Sequence, residues 1–205
     1  MRDEEGWVGL GIGEAPHILV LAGPNGAGKS TAAPALIDET LGIAEFVNAD
    51  VIATGLSAFD PERVALEAGR LMLIRLRELA EQRASFAFET TLASRTFAPW
   101  IAELVKSGYS FHLCFLWLST PEQAVLSVDS RVRSGGHHVP EETIRRRYDR
   151  GLRNFFLLYQ PLATTRRVFD SSEPSKPQII ARGVGKVVHS IARPAQWDII
   201  LRYAQ

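Results

Sequence analysis

The sequence predicts a doubly wound α/β fold, an open parallel sheet with helices on both faces. Three observations carry this. Short apolar runs of strand length alternate with amphipathic helical stretches. The first run, His17-Ile18-Leu19-Val20-Leu21-Ala22, opens directly into a glycine-rich turn followed by a helical pattern. Two later runs end on polar groups, Asn48-Ala49-Asp50 and Glu89-Thr90-Thr91, as strands do when their carboxyl ends line a ligand crevice.

Five strands are expected, His17 to Ala22, Glu45 to Ala49, Ser85 to Phe88, Phe111 to Leu118 and Arg167 to Phe169. The helices between them carry legible punctuation. Asp60-Pro61 supplies an N-cap with proline at the first helical position and opens a long helix toward Arg83, with Val64, Ala68, Leu71, Met72 and Leu79 on one face. Lys106-Ser107-Gly108 closes another helix, glycine suiting the left-handed position past its end. Thr120-Pro121-Glu122-Gln123 has a capping-box pattern, and Pro140-Glu141-Glu142 begins a helix that Pro161 ends. Pro34 falls inside the first helix, where it removes a backbone bond. From Ser171 to Gln205 the chain reads as an appendage to one domain spanning residues 1–205: a Ser/Pro/Lys loop, a short strand from Gln178 to Ala181, and a terminal helix from Pro194 docked by Trp197, Ile200 and Leu201.

The chain has 205 residues, enough for one α/β domain with a substantial core and short for two. A hydrophobic content of 46% with 22% charged residues is that of an ordinary globular protein. Net charge is zero, so no global field draws the chain to nucleic acid or to an anionic membrane. Its one cysteine, Cys114, lies in the run Phe111 to Leu118, where it fills core volume; no disulfide forms within one chain. Met1-Arg2-Asp3-Glu4-Glu5 leads into no apolar signal region and no run approaches bilayer length, so a cytoplasmic location is expected.

Gly23-Pro24-Asn25-Gly26-Ala27-Gly28-Lys29-Ser30-Thr31 has the spacing of a phosphate-binding P-loop. Its glycines let the backbone curl into an anion nest, so that loop N–H groups and the following helix N-terminus point at the β-phosphate of a nucleotide. Lys29 is placed to bridge the β- and γ-phosphates, the Ser30 hydroxyl to complete the octahedral oxygen shell of Mg²⁺, and Thr31 to support it. The expected fold is therefore a P-loop NTPase with a five-stranded sheet of the nucleotide-kinase type, and the expected cofactors are ATP or GTP with Mg²⁺.

Asn48 and Asp50 should emerge on the P-loop side of the sheet. A carboxylate there can accept the proton of an attacking hydroxyl, the alternative being that Asp50 caps the next helix. Glu89 can orient acceptor hydroxyls or hold the Mg²⁺ shell through water, with Thr90 and Thr91 hydrogen-bonding either. Arg131, Arg133, Arg145, Arg146, Arg147, Arg150 and Arg153 surround the loop Ser134-Gly135-Gly136-His137-His138. Residues 131–153 thus read as a helical lid, whose arginines can neutralise charge on a transferring phosphoryl group, an effect worth ~10³–10⁵ in rate for a well-placed arginine. His137 and His138 lack a Cys or carboxylate partner at zinc spacing. Ser134-Gly135-Gly136 is like the ABC-transporter signature, but the leucine before it, the long helical insertion and a strand ending in adjacent Asp and Glu are all missing.

With these residues in place, the chain resembles zeta-toxin-type kinases, in the compact branch often labelled predicted ABC-type ATPase or kinase. The resemblance runs from His17 to Gly183 and rests on Gly23 to Thr31, Phe46-Val47-Asn48-Ala49-Asp50, Phe88-Glu89-Thr90-Thr91-Leu92 and Arg131 to Pro140. It implies a kinase that moves the γ-phosphate of ATP or GTP onto a small-molecule hydroxyl. Lys29 and Ser30 take the P-loop roles, Asp50 matches the family's proposed base, Glu89 a substrate-contacting acid, and Arg133 and Arg146 the lid arginines that clamp phosphates. The better-studied members phosphorylate UDP-N-acetylglucosamine and are held inactive by an antitoxin; this chain is shorter and departs from them across the substrate-binding helices. Two other readings stay open from the residues: a polynucleotide or nucleoside kinase, which zero net charge disfavours for a long nucleic-acid track, and a non-catalytic nucleotide switch.

Overall fold

The computed structural model describes residues 15–41, 43–136, 138–173 and 176–204. The acidic N-terminal run, His137 and the Pro174-Ser175 part of the expected loop lie outside them. Five parallel strands form the centre: β1 (His17–Ala22), β2 (Glu45–Val47), β3 (Phe86–Thr90), β4 (Ser110–Trp117) and β5 (Thr165–Asp170). Two further strands, β6 (Gln178–Val184) and β7 (Val187–Ile191), continue the sheet antiparallel, giving the order β2-β3-β1-β4-β5-β6-β7. The expected five-stranded parallel sheet is thus the core of a seven-stranded mixed one, and the segment after Ser171 supplies its edge.

β1 is buried on both faces, which is why it reads as an uninterrupted apolar run. Leu19 and Leu21 pack with Ala33 and Ile37 of α1 (Lys29–Leu41), together with Cys114 and Phe169. Ile18, Val20 and Ala22 face the larger core, built with α3 (Ala65–Glu81), α4 (Phe97–Lys106), α5 (Pro121–Arg133), α6 (Glu141–Asn154) and α7 (Pro194–Leu201). Cys114 is fully buried and its thiol is pushed up to about 12 by desolvation, as core volume rather than chemistry requires.

The helix boundaries follow the capping chemistry with two exceptions. The Thr120 hydroxyl accepts the Gln123 N–H, but Gln123 Oε1 accepts from Ser119 instead of closing the box on Thr120. Asp60 Oδ1 accepts the Arg63 N–H within a turn, and α3 starts only at Ala65. Its buried face is Ala68, Met72, Leu76 and Leu79; Leu71 lies a step around the helix from that stripe and is exposed. In α7, Trp197 and Ile200 are buried and Leu201 is exposed. Pro34 sits inside α1 and offers no N–H to the Ser30 carbonyl one turn back. Among the described residues, no helix is long and apolar enough to cross a membrane.

At the amino end of the sheet, His17 Nδ1 lies 3.0 Å from His112 Nε2, and His112 Nδ1 lies 2.8 Å from Thr165 Oγ1. His112 is buried, and desolvation first, then the neighbouring His17 and Arg167, pushes it down to about 3. An unfolded histidine titrates near 6.5 and takes up a proton that the folded His112 refuses, so stability should fall as pH drops from about 6.5 toward 3. Urea midpoints at pH 7 and 5.5 check this. The drop should shrink in His112→Gln, and an equal drop in that variant would locate the effect elsewhere.

Candidate active site

The sheet register assembles the site. Val47 pairs with Phe88 and Leu21 with Glu89, so the ends of β1, β2 and β3 stand side by side. The loop after β1 needs glycine at its entry: Gly23 has φ +142°, and a Cβ there would stand 2.2 Å from the Leu116 carbonyl oxygen of β4. The Ser171 hydroxyl at the end of β5 donates to the Ala27 carbonyl at 2.6 Å and ties the loop to the far side of the sheet.

Lys29 is buried, and its ammonium donates to the carbonyls of Gly23 (3.0 Å) and Pro24 (2.9 Å) while standing 3.8 Å from Glu89 Oε1. Desolvation lowers its pKa; Glu89 and Asp50 oppose that shift, and Arg131 and Arg147 add to it. The Ser30 hydroxyl donates to Glu89 Oε2 at 2.7 Å, and Asn48 Nδ2 reaches the same oxygen at 3.0 Å. Lys29, Ser30, Asn48 and Glu89 therefore form one connected polar cluster at three adjacent strand ends. Asn25 Oδ1 is buried without a hydrogen-bond partner among the described residues. Thr31 is exposed and lines a cleft of about 710 Å³ between α1 and the β5–β6 face, with Arg167, Lys176, Arg182 and Arg193 among its walls.

Asn48 is the N-cap of α2 (Ala49–Leu56): its Oδ1 accepts from the N–H of Asp50 at 2.8 Å and of Val51 at 3.4 Å. The capping role that was the alternative for Asp50 falls to Asn48, and the Asp50 carboxylate is exposed in the first helical turn. The backbone of Asp50 is tied to Asn48, whose Nδ2 reaches both Ser30 Oγ and Glu89 Oε2, so Asp50 stands at the P-loop end of the sheet. Thr90 and Thr91 each accept a local backbone N–H, from Leu92 at 3.1 Å and Ala93 at 3.4 Å, and shape the turn after β3.

The arginines divide. Arg145 is spent on surface pairs with Glu122 and Glu141. Arg133 is exposed at the end of α5, and Arg146 is exposed with its guanidinium at 3.4 Å from the Thr143 hydroxyl. Among the described residues, Arg131 and Arg147 are the arginines whose charge lowers the Lys29 pKa. Arg147 is half-buried, and burial followed by Arg146 lowers its pKa while Asp50 raises it. Helical phase was the available signal: Arg147 borders the stripe Ile144, Tyr148, Gly151, all buried, whereas Arg146 points away from it.

Sheet order, P-loop and cluster define a P-loop protein built on the sheet of the nucleotide-kinase type. The chain belongs to the zeta toxin family, whose sequence model matches residues 57–173, over half of its length. It is 26% identical over 130 residues to an uncharacterized protein of Haemophilus influenzae, a match covering 63% of this chain and 91% of that one. Its fold is that of the AvrRxo1-ORF1:-ORF2 crystal structure with ATP, at TM-score 0.73 and 19% identity over 92% of this chain. The chain spans only 64% of the length of that neighbour. The structure from the PezAT chromosomal toxin-antitoxin system of Streptococcus pneumoniae aligns at TM-score 0.66 with 16% identity, over 91% of this chain and 78% of that one.

Proposed function

We propose that this protein is a nucleotide-dependent kinase that transfers the γ-phosphate of ATP or GTP to a hydroxyl of a small molecule. The observation that carries the reading is the Ser30–Glu89–Lys29 cluster: a P-loop cation and hydroxyl meet a carboxylate from a neighbouring strand, with a second carboxylate, Asp50, in electrostatic range. Mg²⁺ fits this donor set. Two oxygens, Ser30 Oγ and Glu89 Oε2, stand 2.7 Å apart, and Mg²⁺ commonly binds through one or two protein oxygens together with phosphates. When bound it neutralises charge on the transferring group.

In this reading the loop backbone binds the phosphates and Lys29 leaves its two carbonyl partners for the β- and γ-phosphate oxygens. Ser30 and Glu89 would hold Mg²⁺, Glu89 orienting the Ser30 hydroxyl. Asp50, exposed beside them, takes the acceptor proton, and α6 supplies an arginine to the developing charge, Arg147 being the better placed of those on the helix. The family and the ATP-bound neighbour support the nucleotide, and UDP-N-acetylglucosamine is the acceptor to try first. The toxin-antitoxin neighbour supports an antitoxin partner in the same way.

Incubation with γ-labelled ATP or GTP and a sugar-nucleotide and metabolite mixture should place label on an organic acceptor; label in free phosphate alone would overturn the reading. In Asp50→Ala, transfer should fall ~10²–10⁴-fold, the usual worth of a positioned base, while nucleotide affinity is kept. Unchanged transfer would remove Asp50 from the mechanism.

A further inference from the structure

One side chain joins the two halves of the candidate site. Asn48 is buried where β2 gives way to α2, and parallel register sets it beside Glu89, one step past the last ladder pair, Val47 with Phe88. Its Oδ1 accepts the N–H of Asp50 at 2.8 Å and of Val51 at 3.4 Å, while its Nδ2 donates to Glu89 Oε2 at 3.0 Å and to Ser30 Oγ at 3.4 Å. Those partners fix the amide, since backbone N–H groups require its oxygen and a carboxylate requires its nitrogen. Capping α2 uses only the first end. Serine, threonine and aspartate would cap as well, and none of them carries an acceptor and a donor on separate atoms.

Little else fastens the start of α2 to the P-loop. β2 is a three-residue edge strand, and its ladder stops before Asn48. α2 has eight residues; it buries Ala53 and half-buries Ile52, and apolar contact is non-directional, so it sets how deep the helix sits and not the angle of its first turn. Asp50 lies in that first turn and is exposed. The planar amide of Asn48, with one end on the Asp50 backbone and the other on Glu89 and Ser30, supplies the constraint that packing does not.

We propose that Asn48 is a positioning residue: its Nδ2 bonds to Glu89 and Ser30 fix the first turn of α2, and with it the Asp50 carboxylate, against the P-loop. This rests on the kinase reading only in that Asp50 is the base of that reading; the tie between α2 and Glu89 stands apart from it.

Two measurements test it, one of chemistry and one of structure alone. Asn48→Ser keeps a capping oxygen and loses the amide donor. At saturating ATP its rate of transfer in the labelled-ATP assay should fall ~10-fold or more, since misplacing a reacting group by about 1 Å can cost about 10²-fold. The ATP concentration giving half the maximal rate, and the melting temperature, should stay close to those of the wild-type protein. Combined with Asp50→Ala, Asn48→Ser should cost nothing beyond Asp50→Ala alone. The structural arm needs no substrate. Glu89→Leu removes the acceptor of Nδ2 and leaves the cap in place, and amide hydrogen exchange at Asp50 and Val51, followed by NMR, should quicken several-fold. The Gln123 amide, capped by the Thr120 hydroxyl on α5, is the control and should exchange as before. If Asn48 only caps α2, Asn48→Ser transfers at the wild-type rate and exchange at Asp50 and Val51 is unmoved in Glu89→Leu; either result, or a further loss in the double variant, overturns the proposal. Absence of phosphoryl transfer in the wild-type protein would instead sink the kinase reading, and exchange in Glu89→Leu would still decide whether the tie exists.

Discussion

A Lys29→Met variant should lose phosphoryl transfer by ~10³-fold or more, while its melting temperature stays close to that of the wild-type protein. The two halves have one cause. Lys29 is 6% exposed, and its ammonium is held by two carbonyls and by a carboxylate at 3.8 Å, so the folded protein keeps a cation out of water with partial compensation. Methionine has similar length and no charge to desolvate. Of the groups it abandons, Pro24 still accepts the Ala27 N–H and Glu89 keeps Ser30 and Asn48, so the main loss is the donor to the Gly23 carbonyl, about 1 kcal/mol set against an ammonium no longer held out of water. A stability-neutral change that removes activity is the mark of a group retained for chemistry at some cost to the fold. Thermal denaturation beside the labelled-ATP assay decides it. A Lys29→Met protein that transfers phosphate at the wild-type rate would refute the P-loop mechanism.

How far the sequence foretold this arrangement depends on what each residue's surroundings add. β1 was legible to the residue because Pro16 and Gly23 bracket a run buried on both faces. β5, expected from Arg167 to Phe169, was read too short at its start because Thr165 and Arg166 look like surface. In the structure Arg166 is almost fully buried, donating to the carbonyls of Gly185 and Val187 and lying over Trp197. Those partners belong to the β6–β7 hairpin and α7, so the reason for a buried arginine appears only once the chain has returned. β7 is exposed along most of its length and shows no apolar alternation to read.

The site divides along the same line. Asn48 and Glu89 were legible because each follows an apolar strand, and parallel register alone sets them level. The arginines were not, because seven lie within residues 131–153 and choosing among them requires the phase of α6 and the face it buries. Family resemblance favoured Arg133 and Arg146, which are exposed, whereas Arg131 and Arg147 are the arginines whose charge lowers the Lys29 pKa.

Gly23→Ala should be the most damaging small substitution in the chain, costing on the order of 3–5 kcal/mol of stability. Two penalties fall on one atom. The backbone there has φ +142°, which L residues rarely adopt, and the new Cβ would stand 2.2 Å from the Leu116 carbonyl oxygen and 3.1 Å from its carbon. Neither neighbour can yield cheaply, because Leu116 is fully buried in β4 and registered with Phe169 of β5. Relief must come from Gly23 itself, which carries the carbonyl that Lys29 binds, so phosphate affinity should fall together with stability. Gly55→Ala is the matched control: it lies in α2 with nothing within 4 Å of its Cβ, and it should be neutral or stabilising by up to about 1 kcal/mol. Urea unfolding of the two variants measures the contrast directly. A Gly23→Ala protein that unfolds at the wild-type midpoint would mean that β4 and the P-loop are not packed backbone to backbone.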